Sequence, residues 1–323
     1  MMRCLFAGTP SAAVPVLESL LASDHEVVGV ITRPDAPVGR GRKLAPSPVA
    51  VVAEAAGIPI IKTKTLKSED VIEQIKSLQP DVCPIVAYGG LVPEPLLDLG
   101  RFGWLNLHFS LLPAYRGAAP VQRAIAAGET ETGISIFRLE AGMDTGPVVW
   151  QESVPLTEAD TATKLLADLA ELGAGRMIEV LDKLAANPDL PFTPQPTEGV
   201  SLADKITVED AFIDFADSAR MVVRRANSVT EDPGAWTWWR DQRIKLAELV
   251  ACTREEANAF GPDLPQQVLP GTIFGRKRTL LVACGSDFVQ VGKVSVPGKG
   301  WRSGADWARG ARLETDERMG QEL

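Results

Sequence analysis

Histidine and cysteine are scarce in this sequence: two histidines and four cysteines in 323 residues. Cys4, Cys83, Cys252 and Cys284 form no Cys-x-x-Cys pair. A Cys/His zinc centre is therefore not expected, and no metal is assigned. Four scattered thiols fit a reducing compartment, so a cytoplasmic location is expected. No apolar run approaches the roughly 18–20 residues that cross a bilayer, so no membrane partner is expected. Met1-Met2-Arg3 leads directly into Cys4-Leu5-Phe6-Ala7, too short a stretch for the apolar region of a signal peptide. The chain has no internal repeat and no Gly-x-Gly-x-x-Gly fingerprint. Gly8-Thr9-Pro10 after the first apolar run does not indicate dinucleotide binding. The net charge of −9 argues against a uniformly basic nucleic-acid binder. That charge is uneven, because residues 207–323 hold 16 Lys and Arg against 17 Asp and Glu. Any contact with a polyanion must then use local basic clusters.

What is present is globular. Hydrophobic residues make up 45% and charged residues 23% of the chain, enough apolar surface to offset the entropy of ordering. The length suits two domains. The first half alternates strand and helix signals. Arg3–Ala7, Glu26–Thr32, Ile58–Ile61, Asp81–Ala87, Gly103–Phe109, Gly133–Leu139 and Val148–Val154 read as strands. Between them, Val14, Leu17 and Leu21 recur at helical spacing, Ser47-Pro48 opens a helix that stops at Gly57, and Ser68 opens another. This rhythm predicts an α/β, Rossmann-like, mostly parallel sheet with helices on both faces. A long helix is predicted over 161–184, with Gly173 and Gly175 as weak points. Residues 187–196 contain four prolines and read as a linker. Beyond it, 207–225 is predicted helical. Short β-type runs from Trp236 onward predict a small C-terminal β-barrel, OB-like in kind. The expected boundaries are a first domain at 1–189, a linker at 190–206, a second domain at 207–312 and a charged, frayed tail at 313–323.

Candidate chemistry concentrates in a few places. On the strand Trp104-Leu105-Asn106-Leu107-His108, alternation puts Asn106 and His108 on one face and the two leucines on the other. Ligands of open α/β sheets bind near the carboxyl ends of strands, where this pair would sit. An amide and imidazole merely satisfied by loop backbone is the plainer alternative. His25, in a polar turn before a strand, reads as surface. The Ser110-Leu111-Leu112-Pro113 turn could line a pocket. Asp144, in the Gly-flanked loop Gly142-Met143-Asp144-Thr145-Gly146, could accept a proton if burial raises its pKa, or could simply hold a turn. Together, Asn106, His108 and Asp144 can orient a carbonyl, stabilise an oxyanion and take a proton from an attacking amine. No serine or cysteine nucleophile accompanies them, so direct transfer is expected. The connection from Pro34 to Pro48 is long for a βα loop and carries Arg40, Arg42 and Lys43, a cluster suited to phosphates.

At these residues the chain resembles the methionyl-tRNA formyltransferase family, and the likeness runs along nearly the whole length. It includes Phe6-Ala7-Gly8-Thr9-Pro10, Gly39–Leu44, Val86-Ala87-Tyr88-Gly89, Asn106-Leu107-His108 with Ser110–Pro113, Arg116-Gly117-Ala118-Ala119-Pro120, and Gly142–Gly146. It continues through Ala203-Asp204-Lys205-Ile206, Glu209–Asp214 and Trp307-Ala308-Arg309-Gly310. The resemblance implies transfer of a formyl group from 10-formyltetrahydrofolate, a co-substrate, to the α-amino group of methionyl initiator tRNA. It implies that Asn106 and His108 hold the oxyanion, that His108 protonates the leaving folate nitrogen, and that Asp144 sets the histidine and accepts the amine proton. Folate contacts are implied at Tyr88, Gly89, Ser110, Leu111, Leu112 and Pro113, and tRNA contacts at Arg40, Arg42, Lys43 and the second domain. A monomer is expected. The Asn/His/Asp set is shared by all folate-dependent formyltransferases, so a sugar-nucleotide or other small-amine acceptor, or hydrolysis of the folate, is the alternative. One departure from the family lies at Ala226–Pro233, where relatives carry a shorter proline-rich stretch.

Overall fold

The computed structural model describes residues 1–38, 41 and 43–320. The chain forms two compact units. The first takes Met1–Pro120, Glu131–Pro155 and Leu165–Ala203, and the second takes Val121–Thr130, Leu156–Lys164 and Asp204–Leu323. In chain order the elements up to residue 203 are β1 (Arg3–Gly8), α1 (Val14–Ala22), β2 (Glu26–Thr32), β3 (Ala36–Val38), β4 (Lys43–Ala45), α2 (Pro48–Ala55), β5 (Ile60–Lys62), α3 (Glu69–Ser77), β6 (Cys83–Val86), α4 (Glu94–Leu97), β7 (Trp104–His108), β8 (Arg116–Gly117), α5 (Pro120–Ala127), β9 (Glu131–Arg138), β10 (Val148–Pro155), α6 (Ala162–Ala186) and β11 (Leu202–Ala203).

The main sheet of the first unit runs β10-β9-β7-β6-β1-β2-β5. Its five strands from β7 to β5 are parallel, and β9 and β10 add an antiparallel edge. Strand order reverses between β1 and β6, and ligands of open α/β sheets bind outside the carboxyl ends of strands at such a switch point. The start and stop of α2 have visible local causes. Ser47 accepts a hydrogen bond from the Ala50 amide at 3.0 Å, with Pro48 at the first helical position, and Gly57 stops the helix region at φ 69°. On one face of the sheet, Leu5, Ala7 and Trp104 pack with Val71 and Ile75 of α3 and Leu96 of α4. On the other face, Leu107 meets α6 at Gly173. A Cβ there would lie 2.4 Å from a Leu107 methyl, so only glycine allows α6 this close beneath β7. Gly173 is thus a packing requirement rather than a weak point.

The second unit contains α7 (Ala219–Ser228), β12 (Trp236–Trp239), β13 (Gln242–Cys252), α8 (Arg254–Asn258), β14 (Ile273–Gly275), β15 (Leu280–Ala283), β16 (Phe288–Ser295), β17 (Arg302–Ser303) and α9 (Gly304–Ala311). Its antiparallel sheet, β12-β13-β16-β15-β14 with β17 on β16, curls into a half-barrel around Ile213, Phe215, Val222, Trp239, Leu246 and Trp307. Two expectations are corrected here. The predicted helix over 207–225 is one 3₁₀ turn, Glu209–Ala211, and then α7. Between them Ile213 donates its amide to Trp236 O at 2.8 Å, and Asp214 Oδ1 caps the Ala216 amide at 2.9 Å. Polar side chains that bond their own backbone favour such turns over helix. The tail is not frayed over 313–320: Met319 is buried, Glu317 accepts from Trp239 and Arg240, and the Arg318 guanidinium caps Pro270 O.

Candidate active site

Strand β7 delivers the Asn106 and His108 side chains to one face at its carboxyl end, on the side where Trp104 packs. His108 is buried. Its Nε2 lies 2.9 Å from Tyr115 O. A carbonyl only accepts, so Nε2 carries the proton and the neutral ring turns the unshared pair of Nδ1 toward Asp144. Nδ1 is 3.9 Å from Asp144 Oδ2. Burial pushes the His108 pKa below the usual imidazole value, against the opposing effects of the Asp144 charge and the Tyr115 carbonyl. The Asn106 side chain is half-buried and has no hydrogen-bond partner among the described residues. Its donors and acceptor are therefore available to a ligand.

Asp144 adopts a left-handed backbone, φ 52°. Its Oδ2 accepts from the Gly117 amide at 2.8 Å, which aims the carboxylate at His108. Gly117 itself sits at φ 124° with Ala203 O 2.7 Å from where a Cβ would be, so the turn needs glycine. The loop after β7 is held by its own Ser110 and by side chains of β9 and β10. Ser110 Oγ donates to Ala114 O at 2.6 Å, Ser135 Oγ donates to Ser110 O at 2.7 Å, and Gln151 Nε2 donates to Leu112 O at 2.8 Å. Ser110 and Leu112 are buried, whereas Leu111 and Pro113 are half-buried at the surface of the loop. The Tyr88 ring packs in the core, and its carbonyl accepts from Thr9 Oγ1 at 2.8 Å, tying the ends of β6 and β1 together. Gly89 follows it at φ 79°, exposed. Exposed Leu91 and Met143 leave apolar surface on two loops of this unit. Lys43 stands exposed on the β3–β4 hairpin, and Arg40 and Arg42 lie outside the described residues. No cluster of potential metal ligands occurs among the described residues, and none of their helices is long and apolar enough to cross a membrane.

Two further placements differ from the sequence reading. His25 is buried, not surface: its Nδ1 accepts from the Met2 amide at 3.2 Å, and Nε2 lies 3.3 Å from Asp182 Oδ1 without hydrogen-bond geometry. The proline-rich stretch beyond α6 is not a free linker over 193–203. Thr193 pairs with Val148, Gln195 bonds Arg116 and the Asp144 loop, Ser201 bonds Tyr115 and Arg116, and β11 pairs with β8. Prolines 194 and 196 flank a glutamine whose bonds run to residues distant in sequence, so the sequence signal there was only that of an extended chain.

A model of the formyl transferase family matches residues 2–181, and one of the formyl transferase C-terminal domain matches residues 205–312. The methionyl-tRNA formyltransferase of Nocardioides sp. is 46% identical over 99% of this chain and 98% of its own length. That of Streptomyces coelicolor is 46% identical over 99% of this chain and all of its own. Among solved structures, HypX from Aquifex aeolicus in complex with tetrahydrofolic acid shares the fold, with a TM-score of 0.65 at 16% identity. That match covers 99% of this chain and about half (51%) of HypX. The chain belongs to the formyl transferase family, among its methionyl-tRNA formyltransferases.

Proposed function

We propose that this protein transfers the formyl group of 10-formyltetrahydrofolate to the α-amino group of methionyl initiator tRNA, in the cytoplasm and as a monomer. The observation that carries this reading is the convergence of an Asn106 amide without a partner among the described residues, a neutral buried His108 and the Asp144 carboxylate at the carboxyl end of a parallel sheet. The donor supplies an activated formyl carbon. As the amine nitrogen bonds to that carbon, the His108 Nδ1 lone pair takes the amine proton. The Asn106 Nδ2 donates to the oxyanion, and Asp144 stabilises the imidazolium. Nδ1 then returns the proton to the folate nitrogen as its bond to the formyl carbon breaks. The commitment of Nε2 to Tyr115 O favours Nδ1 over Asp144 as the group that first accepts the amine proton.

The residues at this end of the sheet suit a folate. The Asn106 amide offers polar contacts, and the half-buried Leu111 and Pro113 offer apolar surface to a flat ring. Gly89, Ser110, Leu111, Leu112 and Pro113 would hold the donor, with Tyr88, Ser110 and Leu112 acting through backbone and loop shape. Arg40, Arg42 and Lys43 would contact tRNA phosphates. Residues 1–189 would form the catalytic domain, with 190–206, bonded to it over 193–203, as the connection, 207–312 the tRNA-contacting domain, and 313–323 the charged terminal segment, anchored over 317–319. Incubation with 10-formyltetrahydrofolate and methionyl initiator tRNA, methionyl elongator tRNA or no acceptor tests the proposal. Formylmethionine made only on initiator tRNA is expected. Formate release without acceptor, or formylation of a small amine in preference to tRNA, would overturn it.

A further inference from the structure

We propose that Gln195 is a positioning residue that fixes the two catalytic loops against each other; this rests on the formyl-transfer reading above. Its amide is fully occupied. Nε2 donates to Asp144 O at 2.8 Å and to Gly146 O at 2.7 Å. Oε1 accepts from Arg116 Nε at 3.2 Å and Nη2 at 2.6 Å. Two donors and two acceptor sites of one side chain are thus spent on two loops, and a primary amide has no more to give.

One loop carries Asp144, and the other bonds both Asp144 and His108. The loop at 144–146 presents the carboxylate from a left-handed residue, a conformation that persists only where the surroundings impose it. The loop at 115–117 supplies Tyr115 O, which sets the His108 tautomer, and the Gly117 amide, which aims Asp144. This second loop is held by the same segment as Gln195. Ser201 Oγ accepts from the Tyr115 amide at 2.8 Å, Ser201 O accepts from the Arg116 amide at 2.9 Å, and Leu202-Ala203 pair in parallel with Arg116-Gly117. Gln195 is the side chain through which this segment reaches both loops. A shift of Asp144 or of Tyr115 changes the 3.9 Å separation between Nδ1 and Oδ2, and with it the proton affinity of Nδ1.

Gln195→Glu keeps an acceptor for Arg116 but replaces the donor that faces two carbonyls with an oxygen. Gln195→Met removes all four bonds without adding charge. Both variants are expected to lower kcat at least tenfold, to leave the KM values for donor and tRNA within about twofold, and to move the pH at which kcat is half-maximal. Because the chain has only two histidines, nitrogen NMR resolves His108 directly, and both variants should change its Nδ1 resonance. Val200→Ala, at an exposed side chain of the same segment, should leave rate and resonance unchanged. Wild-type kcat and an unmoved His108 resonance in Gln195→Met would overturn the proposal, as would a change confined to KM. If Gln195→Glu fails to fold, Gln195→Met decides. If the wild-type protein formylates no tRNA, the functional reading fails instead; if it does and the variants match it, only this inference fails.

Discussion

Replacing Asp144 by asparagine removes one charge and little else. The side-chain amide oxygen that results can still accept from the Gly117 amide, so the turn is retained. In the proposed mechanism, what is lost is the attraction between the carboxylate and the imidazolium that forms when His108 takes the amine proton. The two groups are 3.9 Å apart. At an effective dielectric near 20, unit charges at that distance attract by about 4 kcal/mol. In a transition state where the imidazolium is fully formed this would be about a thousandfold in rate; with partial proton transfer about a hundredfold is expected. The assay is kcat at saturating donor and methionyl initiator tRNA, with thermal unfolding to confirm that the variant is folded. A loss below tenfold in a folded Asp144→Asn protein would refute the charge-stabilised imidazolium.

Further outcomes can be measured separately. Burial lowers the His108 pKa in the folded state, so the unfolded chain binds that proton first as pH falls below the usual 6.5. Stability is therefore lost from about pH 6.5 downward, until the lower folded-state value is passed, and urea unfolding of His108→Gln should lack that part of the slope. Asp210 acts in a separate window: the Arg123 guanidinium holds its pKa down at about 2, so its contribution is lost only as pH falls from the usual carboxylate range toward that value. Gly173→Ala should lower stability by up to about 2 kcal/mol, since overpacking against Leu107 costs more than the gain of about 1 kcal/mol in helix propensity. Gly175→Ala faces open space and should stabilise, and calorimetry that found both changes stabilising would contradict the close packing of α6 on β7. Arg42→Ala or Lys43→Ala should weaken tRNA engagement and reduce the salt slope of binding by about one per lost phosphate contact; an unchanged slope would remove these residues from the interface.

The strand that carries Asn106 and His108 was legible because its signal is local. Period-two alternation across 104–108 sorts Asn106 and His108 from Leu105 and Leu107, and the structure sets the two pairs on opposite faces of the sheet, with only Asn106 partly exposed. The Ser47-Pro48 helix start and the Gly57 stop are equally local. What escaped is held by partners far apart in sequence. Gln195 looks like a linker residue because prolines surround it, and nothing in its neighbours shows that it meets Arg116 and Asp144. His25 follows Ser23-Asp24 and looks solvated, but Met2 and Asp182 bury it. Charge at 314–318 reads as fraying, yet Glu317 satisfies Trp239 and Arg240 and so anchors the chain. Gly173 reads as a weak point in a helix until its neighbour Leu107 is known.

Single-turnover formyl transfer from 10-formyltetrahydrofolate to methionyl initiator tRNA, compared between wild-type protein and His108→Gln across pH, tests the proposed role of His108 most directly. The expected result is rapid transfer by the wild type, rising as the histidine becomes neutral, and a folded variant that still binds folate but transfers at least a hundredfold more slowly without that pH dependence. Transfer by His108→Gln at the wild-type rate, with the same pH profile, would show that Nδ1 carries no proton in this reaction.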